Sequence, residues 1–288
     1  MTKATMTIYR IGDHPALALA AKELDRCLRK MAPVRVTVRG APAYNPQEPG
    51  IYLCVGDDLR SAIGPHLCRP SRFDDEILLR SLAQSLLLSG SNPRSVFFAA
   101  YRLLQELGAR WPFPGKKGEY LPRLDRLIGF DVHEKAAYRH RAVICEGAVS
   151  LEHVLDYVAW MPKAAYNALY LELHNFEASW RAWYERPYNP DFPLRRLTIK
   201  PCAQMCHRVI AALKERHPLL HRVGHGWTAE TIGARAIGWA KARKPVPPDK
   251  KAPVARVNGK RDWWMGIPLN TELCYSNPRA QTPPRLRR

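Results

Sequence analysis

Residues 90–120 read GSNPRSVFFAAYRLLQELGARWPFPGKKGEY, and this stretch decides how the first half of the chain folds. Its opening carries the start and stop signals of a helix. The Asn92 side chain can cap backbone N–H groups, and Pro93 falls at the first helical position, where a missing N–H costs nothing. Val96, Ala99, Ala100, Leu103, Leu104 and Leu107 recur at helical spacing, and Gly108 closes the run where a left-handed residue is favoured. Arg110-Trp111-Pro112-Phe113-Pro114-Gly115 then forms an aromatic loop stiffened by two prolines. Such a loop can brace packed units, with the Arg110 guanidinium on the Trp111 indole, or it can form one wall of a sugar-binding cleft.

Upstream, Thr5–Ile11, Val34–Val38, Ile51–Val55, Glu76–Arg80 and Ser85–Ser89 read as strands. His14–Met31 reads as a helix with Leu17, Ala21, Leu24 and Leu28 on one stripe. A last short strand is expected near Leu127–Val132. Strands surrounding two long helices predict an α/β class, a small mixed-sheet domain over residues 1–135. No G-x-G-x-x-G or P-loop follows any strand, so neither a nucleotide site nor any other cofactor is expected.

Downstream, residues 136–278 alternate again. Tyr138–Cys145 is a strand, Leu151–Pro162 a helix, Tyr166–Leu173 a strand, Pro193–Arg216 contains a helix, and Leu219–Val223 is a strand. This order predicts the first strands of a TIM-like (β/α) barrel. Each strand ends in polar or aromatic groups: Glu146, then His174 and Asn175, then His225 and Trp227. Barrel active sites lie at those C-terminal strand ends, although strand ends are often polar without function. Lys241–Pro253 reads as a loop, Val257–Pro278 regains turn chemistry, and residues 279–288 read as a basic, disordered tail.

Composition narrows the classes. The chain has 288 residues, 46% hydrophobic and 25% charged, which fits a globular protein. No apolar run reaches the ~18–20 residues that span a bilayer, and the N-terminus has no apolar h-region, so no membrane partner and a cytoplasmic location are expected. Seven scattered cysteines form no disulfide framework. The formal charge of +19 is uneven: residues 234–288 hold 13 Lys/Arg against 3 Asp/Glu. A basic tail can hold phosphates, yet no nucleic-acid-binding motif accompanies it, so nucleic acid is disfavoured as a partner.

Taken together, several motifs resemble the bacterial glycoside-hydrolase-like proteins with an α-glucuronidase-type N-terminal domain. These form the domain-of-unknown-function 4838 group, related to family-67 α-glucuronidases and family-20 hexosaminidases. The matching segments are Ala20-Ala21-Lys22-Glu23-Leu24, Ile51-Tyr52-Leu53-Cys54-Val55-Gly56, Leu107-Gly108-Ala109-Arg110-Trp111 and Glu119-Tyr120-Leu121-Pro122. In the second half they are Tyr138-Arg139-His140-Arg141, Tyr166-Asn167-Ala168-Leu169, Gly224-His225-Gly226-Trp227 and Gly266-Ile267-Pro268-Leu269-Asn270. The resemblance implies a hydrolase fold acting on an oligosaccharide or glycoside. It also implies eight barrel strands, of which about three are legible, with catalytic carboxylates on the fourth or later. No Asp/Glu pair sits at a strand end, although glycosidic hydrolysis needs two carboxyl groups about 5–9.5 Å apart. The chain is therefore expected to be a truncated or frameshifted product without the catalytic pair, and its open strand edge to favour self-association.

The candidate substrate-binding residues are Arg141, Glu146, His174, Asn175, His225 and Trp227; the catalytic residues are unassigned. Arg141 can hold a sugar hydroxyl or carboxylate, or make a salt bridge to Glu146 or Glu172. Glu146 can accept sugar hydroxyls or serve in structural pairing. His174 can donate to a substrate oxygen or sit satisfied in the core. His225 with Trp227 resembles the turn ending the third strand in hexosaminidase-like barrels, its indole offering a flat face to sugar C–H groups. Cys202, Cys206 and His207 lack a second ligand pair at zinc-finger spacing, so they read as packing residues and no metal is expected. Trp263 and Trp264 can stack on a sugar or fill core. The alternatives to a hydrolase are a non-catalytic carbohydrate-binding protein and, less favoured, a basic nucleic-acid binder.

Overall fold

The computed structural model describes residues 4–56, 68–124, 129–145, 150–171, 180, 184, 197–222, 229, 232 and 241–281. The chain divides into two compact units. One comprises Met1–Val143, Leu151–Leu169 and His207–Leu220; the other comprises Ile144–Ser150, Tyr170–Cys206 and His221–Arg288.

The first unit is built on β1 (Ala4–Ile11), α1 (Pro15–Met31), β2 (Val34–Ala41), β3 (Ile51–Val55), β4 (Glu76–Leu82), β5 (Ser85–Gly90), α2 (Pro93–Glu106) and β6 (Asp131–Lys135). The six strands form one mixed sheet in the order β2-β1-β3-β5-β4-β6. Pairs β1–β2, β1–β3 and β3–β5 are parallel, while β4 runs antiparallel to both β5 and β6. The predicted α/β class is what the chain adopts.

The strands show why this sheet is buried on both faces. Along β3, Ile51 and Leu53 join the cluster under α1 and α2, whereas Tyr52 and Cys54 join Tyr9, Ile11, Cys68, Leu78 and Leu87 on the other side. A period of two with both phases apolar is the pattern of a central strand. Helix α1 buries Leu17, Leu24 and Leu28 against the sheet, each contributing about 1.5–3 kcal/mol.

Helix α2 begins and ends as its residues dictate. The Asn92 side chain accepts from Ser95 N at 3.1 Å, Pro93 opens the helix, and Gly108 takes φ +89° just past its end. Gly90, the last residue of β5, must be glycine for a different reason. A Cβ there would lie 2.4 Å from Val96 N, because the strand end runs directly against the first turn of α2.

The strand expected near Leu127–Val132 is found instead at Asp131–Lys135. Residues 125–128 lie outside the described residues. The edge strand takes the polar run because its side chains pair across to β4: Arg80 binds Asp131, and His133 binds Glu76. Apolar content misplaces such a strand, since an edge needs little of it.

Further along are β7 (Ala142–Cys145), α3 (Leu151–Trp160), β8 (Ala168–Leu171), α4 (Ile199–Arg216) and β9 (Leu219–Arg222), the strands forming a sheet in the order β7-β8-β9. In the second unit, residues 241–281 are ordered by turns. Val257 and Lys260 bridge across Asn258 and Gly259, both at positive φ, as a two-residue hairpin turn requires. Val254 bridges Leu273, and Trp263 and Leu273 pack against Ile232, Val246 and Val254. Trp263 therefore fills core, and Trp264 is exposed. The chain's last described element is α5 (Pro278–Gln281).

Candidate functional site

Asp75 is the centre of the most heavily bonded cluster. Its Oδ1 accepts from Arg94 Nε at 2.8 Å, Ser95 Oγ at 2.8 Å and Asn92 Nδ2 at 3.2 Å. Its Oδ2 accepts from Arg141 Nη2 and Asn167 Nδ2, both at 2.7 Å. Asp75 and Arg94 side chains are each only 2% exposed. Burial pushes the carboxyl upward, but the Arg94 charge and the donors from Arg141, Ser95 and Asn167 prevail, and the pKa lies below the ordinary value. Burial also lowers the Arg94 pKa, against the pull of Asp75.

This cluster accounts for Arg141. Besides Asp75, its Nε donates to Ala165 O at 2.8 Å and its Nη1 to Tyr138 O at 2.7 Å. Its backbone N–H donates to Asn167 Oδ1 at 2.9 Å. Among the described residues its carboxylate partner is Asp75; Glu172, one of the two partners expected from sequence, lies outside them. Glu146, His174, Asn175, His225 and Trp227 all lie outside the described residues.

The aromatic loop is held differently from expectation. Arg110 does not lie on Trp111. Its Nη1 donates to the carbonyls of Gln105 at 2.7 Å and Ala109 at 2.8 Å, closing the C-terminal end of α2. The cation beside the indole is Lys163, whose Nζ lies 5.7 Å from the Trp111 ring centroid and 5.9 Å from that of Tyr101. Trp111 meets Tyr101 edge-on at 5.3 Å, and its carbonyl accepts from Trp160 Nε1 at 2.7 Å. The brace thus falls within the first unit, between the loop and α3.

Glu119 completes this group. Arg26 donates to its Oε1 at 2.7 Å and its Oε2 at 2.5 Å, Lys30 to Oε1 at 3.1 Å, and Trp111 Nε1 to Oε2 at 3.2 Å. Arg26 also binds Glu23, which accepts from Tyr101 Oη at 3.0 Å. The Arg26 hydrogen bonds outweigh burial and bring the Glu119 pKa down to about 2. Glu23, Arg26, Lys30, Tyr101 and Glu119 line a cleft of about 530 Å³ with Lys116, Asp156, Lys163 and Arg216. The cleft is polar and cationic, and its wall draws on α1, α2, the aromatic loop and α3. The sequence points to the loop and to the segments holding Glu23 and Glu119, but not to their meeting, because the members are scattered over separate elements.

One set of donors could hold a metal. Cys68, Glu76 and His133 offer ligand atoms all within 4.8 Å of one another, a sulfur, oxygen and nitrogen set of the zinc type. His133 Nε2 and Glu76 Oε1 already bond each other at 2.6 Å, and burial raises the Cys68 pKa to about 12. Cys202 and Cys206 are buried, and Cys206 Sγ accepts from Trp180 Nε1 at 3.1 Å, a packing contact.

No protein-family profile matches the chain. No curated protein matches it in sequence. In fold it is similar to a GH138 enzyme targeting pectin rhamnogalacturonan II, with a TM-score of 0.51 and 12% identity over 86% of this chain and 35% of that one. It also matches the GH20 β-N-acetylhexosaminidase of Streptomyces coelicolor A3(2) at 0.48, with 15% identity over 77% of this chain and 43% of that one. The N-acetyl-β-hexosaminidase of Streptomyces plicatus gives 0.49, with 15% identity over 96% and 50%. The fold is like that of the GH138 enzyme. The chain spans between a third and a half of the length of these structures. Among the described residues, no helix is long and apolar enough to cross a membrane.

Proposed function

We propose that this chain is a carbohydrate-acting protein of the glycoside-hydrolase type, engaging an oligosaccharide or glycoside. The observation that carries this reading is the fold likeness to the GH138 enzyme over 86% of the chain. Glu146, His174, Asn175, His225 and Trp227, which the sequence places just after strands, are its proposed sugar contacts, because polar side chains suit sugar hydroxyls and an indole suits sugar C–H groups. Kinship with the α-glucuronidase-type proteins rests on the motifs around Trp111 and Trp227.

Binding without turnover is the expected behaviour of this chain, since the sequence offers no Asp/Glu pair at strand ends to serve as acid and base. The test is a panel of aryl glycosides and oligosaccharides, assayed for both hydrolysis and binding. Saccharide binding that is lost in Trp227→Ala, with no hydrolysis, supports the reading. Turnover abolished by Glu146→Gln or Glu172→Gln would overturn the non-catalytic part, and absence of any saccharide binding would overturn the whole.

A further inference from the structure

The charges around the 530 Å³ cleft do not cancel. Arg26 is shared between Glu23 and Glu119, and Lys30 is spent on Glu119. Lys163 remains, and Arg216 has only the neighbouring, exposed Glu215. The Lys163 backbone is pinned by Gln105 Nε2, which donates to its carbonyl at 2.8 Å, and its ammonium lies by the Tyr101 and Trp111 rings. Its ammonium has no carboxylate at ion-pair distance among the described residues. Burial lowers its pKa, an effect the nearby Glu23 carboxylate partly offsets.

Arg216 closes the same cleft from the end of α4. Its Nη1 donates to Ala212 O at 2.7 Å and lies 3.7 Å from Glu215 Oε2. Its Nε is buried without a hydrogen-bond partner among the described residues. A buried N–H without an acceptor is costly, as is a half-buried ammonium without a counter-charge. The ammonium's cost falls when an acceptor-rich anion enters the cleft, which the Arg216 side chain also lines. Exposed Lys116 adds charge at the rim. Asp156, also exposed and lining the cleft, together with Glu23 and Glu119, opposes a long polyanion.

We propose that this cleft binds a small oxyanion, the phosphate or carboxylate group of a soluble molecule, with Lys163 and Arg216 as its principal donors. The cleft draws on none of the candidate sugar-contact residues, and the proposal does not depend on them.

Calorimetric titration of the full chain with inorganic phosphate and, separately, with acetate at constant ionic strength tests this. Saturable binding of at least one of them is expected, and the one that binds identifies the group. Lys163→Gln is expected to weaken it by about tenfold or more, and Lys163→Arg to restore part of the loss. Arg216→Gln should weaken it as well. Arg35→Gln, which removes an exposed charge on β2, should leave it unchanged. Melting temperatures of the variants separate loss of site from loss of fold. The proposal is overturned if neither anion binds saturably, or if Arg35→Gln weakens binding as much as Lys163→Gln, which would be diffuse attraction to a basic protein.

Discussion

Asn167 and Asp75 are 92 residues apart in sequence and joined by a 2.7 Å hydrogen bond. That bond ties the turn before β8 to the segment preceding β4, and Asn167 Nδ2 donates in addition to Arg139 O at 2.7 Å. One carboxylate thereby organises the start of α2, through Asn92, Arg94 and Ser95, and the entry to β7, through Arg141.

Removing this carboxylate should be among the most damaging single changes. Asp75→Ala leaves Arg94 buried without its counter-charge, which costs about 3–5 kcal/mol. Asn167→Ala removes one donor to a charged acceptor and should cost about 1.5–3 kcal/mol. Urea unfolding midpoints with unchanged slopes would check both. Near-equal, small effects would show that the cluster is solvated and not a structural centre.

Little of this cluster was legible in the sequence. Asp75 falls just before the strand expected at Glu76, and Arg94 lies in the first turn of a helix, where the dipole disfavours a cation. Nothing local says that Asp75 turns inward to meet it. The elements themselves were legible, since α1 and α2 carry apolar residues at helical spacing, α2 with explicit start and stop signals, and β3 is an unbroken apolar run. The weak point was β6, whose polar run is explained only by its partners on β4. The sugar-contact candidates rest on a strand-end pattern, which sets a position along the chain but not a geometry.

Trp111, and not Arg110, should prove the energetic anchor of the aromatic loop. Trp111→Ala opens a cavity beside Tyr101, at a cost of about 3–5 kcal/mol. Arg110→Gln loses only carbonyl contacts at an exposed helix end, about 0.3–1 kcal/mol. Thermal unfolding of the two variants side by side checks the order. A larger loss for Arg110→Gln would return the brace to the guanidinium.

Gly90→Ala should destabilise the first unit although alanine adds one methyl group. The new Cβ would sit 2.4 Å from Val96 N and 2.6 Å from Ser95 C, both backbone atoms of α2 that cannot rotate away. Separation of β5 from the helix should cost about 1–3 kcal/mol. Hydrogen exchange should speed up at the N-terminal turn of α2 more than at its C-terminal turn. Uniform acceleration, or none, would contradict the close approach.

Acid should weaken the fold through Glu119. Its pKa falls from an ordinary 4.5 to about 2 in the folded protein, chiefly through the Arg26 hydrogen bonds, so the folded state binds this proton less readily than the unfolded chain. The stabilisation is therefore fully present above about pH 4.5 and is lost as the pH drops toward 2. Solvent screening at the open side of the cleft reduces the contribution to about 1–2 kcal/mol. Asp75, also held low, titrates in the same direction. Glu119→Gln should lower stability at neutral pH and flatten the slope between pH 4.5 and 2, because Gln keeps the shape but not the titration. Unfolding free energies measured across that range check it. A variant that matches the parent's acid slope would place the acid sensitivity elsewhere, with Asp75 the next group to test.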